Sequence, residues 1–255
     1  MTSALQTAID TAAKATRSKK IAVVQQKGGS GKSTIAINLA AVMGRSSVPH
    51  PDFPDVSPVL AAGIDVQATL EKWAGRVRED ALPFDYLTTQ SRTGVIQQYV
   101  NEPGRQRVIY DTPGFMDVDP DAEWGADPLG EGRAADSMRE VLEDLDLAVV
   151  PITPSWLTHD PAEYTIERIL KPRGIKFVTV INMHDPSKGT LQLDKAKKFL
   201  DDRGYPRMAD PIRKYTLHEN AAENGLVVTE YKMSGTALNG REDFMKLALC
   251  VEQQL

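Results

Sequence analysis

The chain has 255 residues, of which 41% are hydrophobic and 25% charged, and its formal net charge is −5. This size predicts one domain, or one domain with insertions, and the acidic balance excludes a globally basic nucleic-acid binder, so that any DNA contact must come from local patches. The only cysteine, Cys250, excludes a disulfide framework within one chain, and no run of eighteen apolar residues occurs. We therefore expect a soluble, cytoplasmic protein.

Residues 1–18 read as an alanine-rich helical lead-in, and the rest, 19–255, as one domain. Apolar strands alternate with amphipathic helices along this domain, interrupted by a Pro-rich insertion near 46–58 and an acidic one near 117–132. The predicted strands are "KIAVVQQ", "VLAAGID", "FDYLTT", "QRVIYD", "LDLAVVPI" and "IKFVTVIN". This alternation predicts an α/β fold, with a single, mostly parallel, twisted sheet and helices on both faces.

The stretch "KGGSGKST" lies between the first strand and the first helix of this domain. Its glycines, Gly28, Gly29 and Gly31, permit a tight turn whose N–H groups favour an anion, and Lys32 can reach the β- and γ-phosphates of a nucleotide. The other nucleotide-binding candidates in the loop are Ser30, Ser33, which can ligate Mg²⁺, and Thr34. The glycine that opens the usual G-x-x-x-x-G-K-[ST] pattern is replaced by Gln26, and a second lysine, Lys27, follows it.

This loop resembles the deviant Walker A motif of the ParA/MinD family of ATPases, and the rest of the chain is most similar to the plasmid-type ParA partition ATPases. The resemblance implies a P-loop ATPase that binds ATP and Mg²⁺. It also implies a homodimer with ATP sandwiched between the subunits, in which Lys27 crosses the interface to the phosphates of the partner. Lys27 and Lys32 are then catalytic residues.

Two carboxylates continue the resemblance. Asp111 ends the strand in "RVIYDTPG", similar to a Walker B motif, and Gly114 stands where the family usually has a second proline. Asp65 matches the water-positioning aspartate of the family's D-x-D-P-Q segment, whereas Gly63 replaces the first aspartate of that segment. The resemblance implies that Asp65 is catalytic. It also implies that Ser33 ligates the metal, and that Asp111 and Asp65 lie near the metal without binding it directly. Hydrolysis should be slow.

Later positions match the family's nucleotide contacts and its DNA-binding behaviour. Asn182, at the end of "FVTVIN", is implied to lie at the adenine base, and Pro211, in the P-x-R motif, is a further nucleotide-binding candidate. Partition ATPases bind non-specific DNA in the ATP state and release it when a ParB-like or small centromere-binding adaptor stimulates hydrolysis. The candidate DNA-facing residues are Lys188, Arg213 and Lys214, and the resemblance implies association with the nucleoid in the ATP state.

Three alternatives are weighed against DNA partition. A ParA-like ATPase that positions a protein cargo or a conjugation machine fits the same motifs, because cargo choice lies in the partner contacts. A dethiobiotin-synthetase-like metabolic enzyme shares the fold, but its loop lacks the extra lysine. Membrane binding is disfavoured, since the C-terminal segment "REDFMKLALCVEQQL" carries no basic tail.

Overall fold

The fold is built on one sheet of six parallel strands, in the order β3-β2-β4-β1-β5-β6. The protein was analysed as a computed structural model, which describes residues 17–64, 69–78, 81–88, 95–114 and 127–255. The strands are β1 (Lys19–Val23), β2 (Val59–Gly63), β3 (Asp85–Thr88), β4 (Arg107–Asp111), β5 (Leu147–Ile152) and β6 (Phe177–Ile181).

Eight α-helices are present in the described part of the chain, most of them between successive strands. They are α1 (Lys32–Ser46), α2 (Thr69–Ala74), α3 (Val95–Val100), α4 (Arg133–Glu143), α5 (His159–Tyr164), α6 (Leu191–Asp202), α7 (Thr216–Asn224) and α8 (Gly235–Gln254). A π-helical stretch (Thr165–Leu170) continues α5 and ends in a short 3₁₀ turn (Lys171–Arg173). Further 3₁₀ turns cover Trp156–Thr158, Pro186–Lys188 and Val228–Glu230.

Each face of the sheet supports a separate hydrophobic layer. On one face, alternate strand residues such as Ile21 and Ile109 pack with α1, α2 and α8. On the other face, Ala22 and Tyr110 pack with α4, α5 and α6. Because successive side chains of a strand point to opposite faces, nearly continuous apolar strands such as β5 supply both layers at once.

The predicted fold class, a single α/β domain with a parallel sheet and helices on both faces, is confirmed by this architecture. The first predicted strand is shorter in the structure, since β1 ends at Val23; α2 ends at Ala74, just before Gly75, and α3 ends at Val100. The Pro-rich residues 47–58 form turns without helix or strand, as predicted. Residues 1–16 of the predicted lead-in and 117–126 of the acidic insertion lie outside the described residues.

The strand edge opposite the glycine loop carries a buried ammonium group. The Lys20 side chain is 1% exposed and pairs with Asp144, which also pairs with Arg17 and is itself 46% exposed. Asp146 adds a carboxylate that accepts from the backbone N–H of Lys20 at 2.8 Å and from the Arg17 guanidinium at 2.6 Å. These ion pairs fasten the start of β1 to the turn between α4 and β5.

This pair leads to an asymmetric prediction for stability. Asp144→Ala leaves the buried Lys20 ammonium without its carboxylate, and we expect it to lower the free energy of unfolding by about 1–3 kcal/mol, less than for a fully buried pair because Asp144 is half exposed. Lys20→Met removes the buried charge itself and should change the free energy by less than about 1 kcal/mol. Urea unfolding of both variants measures the difference, and equal losses would contradict it.

Candidate nucleotide site

The carboxyl ends of the central strands bring the candidate residues to one edge of the sheet. Asp111, the last residue of β4, pairs with Val23 of β1 on one side and with Gly63 of β2 on the other. The N–H of Ile64 donates to the Asp111 carbonyl at 3.0 Å. The glycine loop, Asp111 and Ile64 therefore meet at the edge where open α/β sheets bind their ligands. Asp65 itself lies outside the described residues.

A close contact between the glycine loop and the end of β6 fixes the start of α1. Gly31 has φ of 85°, and a Cβ atom added there would lie 2.2 Å from Nδ2 of Asn182. That amide is buried and donates to the Ser30 carbonyl at 2.9 Å. Met183, the next residue, has φ of 59°, the one positive φ among the non-glycine residues that the structure describes. The sequence pattern singled out Asn182 but not Met183, whose strained backbone has no sequence signal.

The two lysines of the loop have different surroundings. Lys32 is 8% exposed, and its ammonium group donates to the carbonyls of Gln25 and Lys27, at 3.1 Å each. Lys27 is partly exposed, and its ammonium group donates to the carbonyl of Leu157 at 3.1 Å. Lys32 therefore belongs to the interior of the loop, whereas the Lys27 side chain lies at its outer edge, against the turn that follows β5.

The loop backbone borders open space at the N-terminus of α1. A Cβ atom added at Gly28 or Gly29 would meet no other atom within 4 Å. Ser30 is fully buried, and its hydroxyl makes no hydrogen bond within the part of the chain that the structure describes. Since a helix N-terminus carries a partial positive charge and free N–H groups, this cradle suits an anion with several acceptor oxygens.

The residues that follow Asp111 lie close to the glycine loop. Asp111 is fully buried, and the Thr112 hydroxyl donates to the Val23 carbonyl at 2.7 Å. A Cβ atom on Gly114 would lie 3.0 Å from the Gln26 carbonyl oxygen, 3.4 Å from the Gly28 nitrogen and 3.7 Å from the Lys32 ammonium. The absence of a side chain at residue 114 thus lets this segment approach the glycine loop closely.

The backbone of Gly63 is closely packed by neighbouring side chains. A Cβ atom there would lie 3.3 Å from Cβ of Leu70 and 3.7 Å from Thr88. Leu70 of α2 is itself 1% exposed and belongs to the core. An aspartate, which the family's motif would place at this position, could enter only if α2 shifted, so Gly63 and the packing of Leu70 are two parts of one arrangement.

A small cavity of about 120 Å³ lies beside the loop. It is lined by residues from α1, the end of β6, the segment after Pro211, and helices α7 and α8, among them Thr34, Asn182, Met183, Arg213, Lys214 and His218. Ile212, next to Pro211, donates its N–H to the Ile181 carbonyl at 2.8 Å. The structure therefore brings Thr34, Asn182 and the Pro211 segment into one neighbourhood.

The three residues predicted to face DNA are placed differently from one another. Lys188 is 81% exposed, and Lys214 is 52% exposed with its ammonium group 3.3 Å from Glu219. Arg213 is 23% exposed, and its guanidinium binds the buried Asp243 at 2.6 and 2.9 Å, a hydrogen bond that raises the pKa of Arg213. The guanidinium of Arg213 therefore ties the segment after β6 to α8, and its contact with DNA stays a prediction.

The described residues contain no group of three or more histidine, cysteine, aspartate or glutamate side chains that would hold a metal ion. Ser33, partly exposed on the first turn of α1, and Asp111 lie at the same edge of the sheet. Trp73 belongs to the core, since it is 4% exposed and donates its indole N–H to the Leu226 carbonyl at 2.9 Å. None of the helices in the described ranges is long and apolar enough to cross a membrane.

The glycine loop gives a matched pair of substitutions. Gly31→Ala puts a side chain on a left-handed residue and against the Asn182 amide, and we expect a loss of about 2–4 kcal/mol in the free energy of unfolding. Gly28→Ala meets no neighbour and should stay within about 0.5 kcal/mol of the unsubstituted protein. Equilibrium unfolding in urea tests both, and a Gly31→Ala variant as stable as Gly28→Ala would contradict the described contact.

Comparisons with known proteins agree with this geometry. No family model matches the chain. A curated protein, the maintenance of carboxysome distribution protein A of Gloeobacter kilaueensis, is 26% identical over 228 residues, which cover 89% of this chain and 91% of that protein. Among solved structures, the septum site-determining protein MinD with Mg-ADP from Pyrococcus horikoshii has a TM-score of 0.62 at 18% identity, covering 92% of this chain and 96% of that one.

The ATP complex of McdA from Cyanothece, an aspartate-to-alanine variant, has a TM-score of 0.64 at 11% identity and covers 93% of this chain and 97% of that one. At identities of 18% and 11%, these two structural matches show the fold alone. The shared fold agrees with the resemblance carried by the deviant glycine loop. The chain has the fold of the ParA/MinD-type P-loop ATPases, and its resemblance to that family is confirmed.

Proposed function

We propose that this chain is an ATP-dependent switch ATPase that positions a cargo. The observation that carries the proposal is the pair of lysines on one glycine loop, with Lys32 buried inside it and Lys27 at its outer edge. Two ammonium groups around one small loop suit a highly charged anion. The curated relative is named for carboxysome distribution, which supports a positioning role for this chain as well.

The residues of the site fit ATP. Among the residues that the structure describes, no atom blocks Gly28 or Gly29 and none bonds the Ser30 hydroxyl, so that this loop and the N-terminus of α1 provide the phosphate cradle. Thr34 and Asn182 lead from this cradle to the cavity beside it, where the base would lie. MinD from Pyrococcus horikoshii with Mg-ADP and McdA with ATP, which share the fold, support the same ligand class.

The same edge fits Mg²⁺. Ser33 would supply one oxygen to the ion, while Asp111 of the Walker B-like strand and Asp65 of the D-x-D-P-Q-like segment would hold its water ligands in place. Mg²⁺ commonly binds one or two protein oxygens and takes the rest from phosphates and water, so a site without a large carboxylate cluster suits it. Bound there, the ion neutralises charge on the phosphates during transfer of the terminal phosphoryl group to water.

Hydrolysis needs positioned phosphates and an oriented water more than covalent chemistry. In this proposal Lys32 binds the phosphates of its own subunit, Asp65 orients the attacking water and Lys27 reaches the phosphates bound by a second copy. The homodimer is thus the active form, and turnover is slow because the site is incomplete in one subunit. The partly exposed position of Lys27 supports this assignment, since a buried lysine could not leave its own subunit.

The ATP dimer is proposed to bind non-specific DNA through phosphate contacts, and so to associate with the nucleoid. Lys188 and Lys214 carry this part of the proposal, because their ammonium groups are exposed. A ParB-like or small adaptor protein would stimulate hydrolysis and end DNA binding. Partition of a plasmid or chromosome is the first candidate function, since the chain resembles the plasmid-type partition ATPases.

A protein assembly is the second candidate cargo, and one observation favours it. The curated relative, 26% identical across most of both chains, is a carboxysome distribution protein. Both cargoes use the same ATP switch and differ only in the adaptor. Deleting the gene separates them, since loss of a plasmid from daughter cells supports partition, and clustering of protein bodies supports the second cargo.

The dimer is tested with three substitutions. Lys32→Ala removes the buried ammonium group from the loop, and we expect ATP affinity to fall about 100-fold, the equivalent of one or two charge-assisted hydrogen bonds. Lys27→Ala should bind ATP as a monomer with affinity within about threefold of the unsubstituted protein but fail to dimerise. Asp65→Ala should trap the ATP dimer. Light scattering with and without Mg-ATP reads the oligomeric state, and a monomeric Asp65→Ala protein at saturating ATP would refute the sandwich.

DNA binding is tested by its dependence on salt. Each lysine that contacts a phosphate adds about one unit to the slope of log affinity against log salt concentration. We expect the double variant Lys188→Ala, Lys214→Ala to lower that slope by about two for a random duplex in the presence of ATP. Lys171→Ala is the control, since Lys171 pairs with Glu167 at 2.6 Å and lies before the start of β6, at the sheet edge opposite Lys188 and Lys214. Equal slopes in the double variant and the control would remove these lysines from the interface.

A further inference from the structure

The turn that follows β5 is attached to the glycine loop by several hydrogen bonds. We call residues Thr153 to Thr158 the 153–158 turn. Gln25, which is fully buried, donates its side-chain amide to the carbonyls of Pro151 and Thr158, at 3.1 and 3.4 Å. Its own carbonyl accepts from Lys32 at 3.1 Å. Gln25 is therefore a positioning residue, whose backbone contacts the buried lysine and whose side chain links the end of β5 to the last residue of the turn.

The second attachment runs through Lys27. Its backbone carbonyl accepts from the Lys32 ammonium group at 3.1 Å, and its own ammonium group donates to the Leu157 carbonyl at 3.1 Å. Lys27 is thus held at both ends, by Lys32 on the loop side and by the 153–158 turn on the other. A phosphate ligand competes for both ammonium groups, because each would exchange a neutral carbonyl partner for a charged oxygen.

The turn itself is stable within its own segment and exposed on its outer side. The Thr158 hydroxyl accepts from the Thr153 N–H at 2.9 Å and donates to the Ser155 carbonyl at 3.0 Å. Trp156 and Leu157, at its tip, are 69% and 51% exposed. A change in the Lys27 contact therefore acts directly on an apolar surface beside the nucleotide site.

We infer that Lys27 is an autoinhibitory latch: without nucleotide its ammonium group is held on the Leu157 carbonyl of its own chain, and phosphate in the loop draws it away and frees the 153–158 turn. This inference rests on the proposed function, since it assumes that phosphates bind this loop. The latch keeps Lys27 from a second subunit until nucleotide is bound. It also makes the turn carrying Trp156 the first element outside the loop to respond to the ligand.

Hydrogen exchange of the full chain tests the latch, read by mass spectrometry on peptides that cover 153–159. Without ligand, Lys27→Ala should exchange about threefold to tenfold faster in these peptides than the unsubstituted protein, as the loss of one hydrogen bond from a charged donor predicts. Lys27→Arg should restore slow exchange, since a guanidinium also donates to a carbonyl. Lys198→Ala should leave exchange unchanged.

Inorganic pyrophosphate is the ligand for the second arm, because an ATP dimer would itself cover the turn. It should speed exchange at 153–159 in the unsubstituted protein and add nothing in Lys27→Ala. Slow exchange in Lys27→Ala, or pyrophosphate that protects the turn, would overturn the latch. Failure of the site itself looks different, since residues 28–34 would then show no protection by pyrophosphate, whereas protection there with an unchanged turn refutes the latch alone.

Discussion

The contact between Gly31 and Asn182 is the constraint on which the candidate site depends. At this contact the start of α1 and the glycine loop lie against the end of β6, and one hydrogen bond, from the Asn182 amide to the Ser30 carbonyl, joins them. A side chain at residue 31 would break the hydrogen bond between the Asn182 amide and the Ser30 carbonyl. It would also displace the strained backbone at Met183. The loop therefore takes its shape from a strand outside the β1–α1 unit, and the cradle and the neighbouring cavity are formed by the same contact.

Much of the fold could be predicted from the sequence, because its strands are short apolar runs separated by helices with clear apolar faces. Phe244, Leu247, Ala248 and Val251 lie on the buried face of α8, as their spacing predicts. The lengths of α2 and α3 could not be predicted from composition. At the end of α2, for example, backbone hydrogen bonds at Gly75 tighten the chain into turns. Strand order likewise depends on long-range packing rather than on local pattern.

Motif spacing could predict that the glycine loop, Asp111 and Asn182 lie at one edge of the sheet, because each lies at or just after the end of a parallel strand there. The partners of the two lysines could not, because Leu157 and Gln25 contribute through carbonyl and amide groups that leave no pattern. Arg213 was predicted to face DNA from the family resemblance and its charge, and the sequence did not reveal that Asp243, thirty residues later in the chain, binds its guanidinium. Gly63 and Gly114 looked like losses in the sequence and are close contacts in the structure.

Helix α1 lies between the sheet and α8, and its residues from Ile35 to Met43 are all buried. A helix that has almost no solvent face cannot tilt or slide without opening the core on several sides. Its N-terminus is consequently a stationary reference point, as rigid as the centre of the protein. Nucleotide binding and hydrolysis must then affect other molecules through movement of surface segments that make few contacts with the rest of the protein, while α1 stays in place.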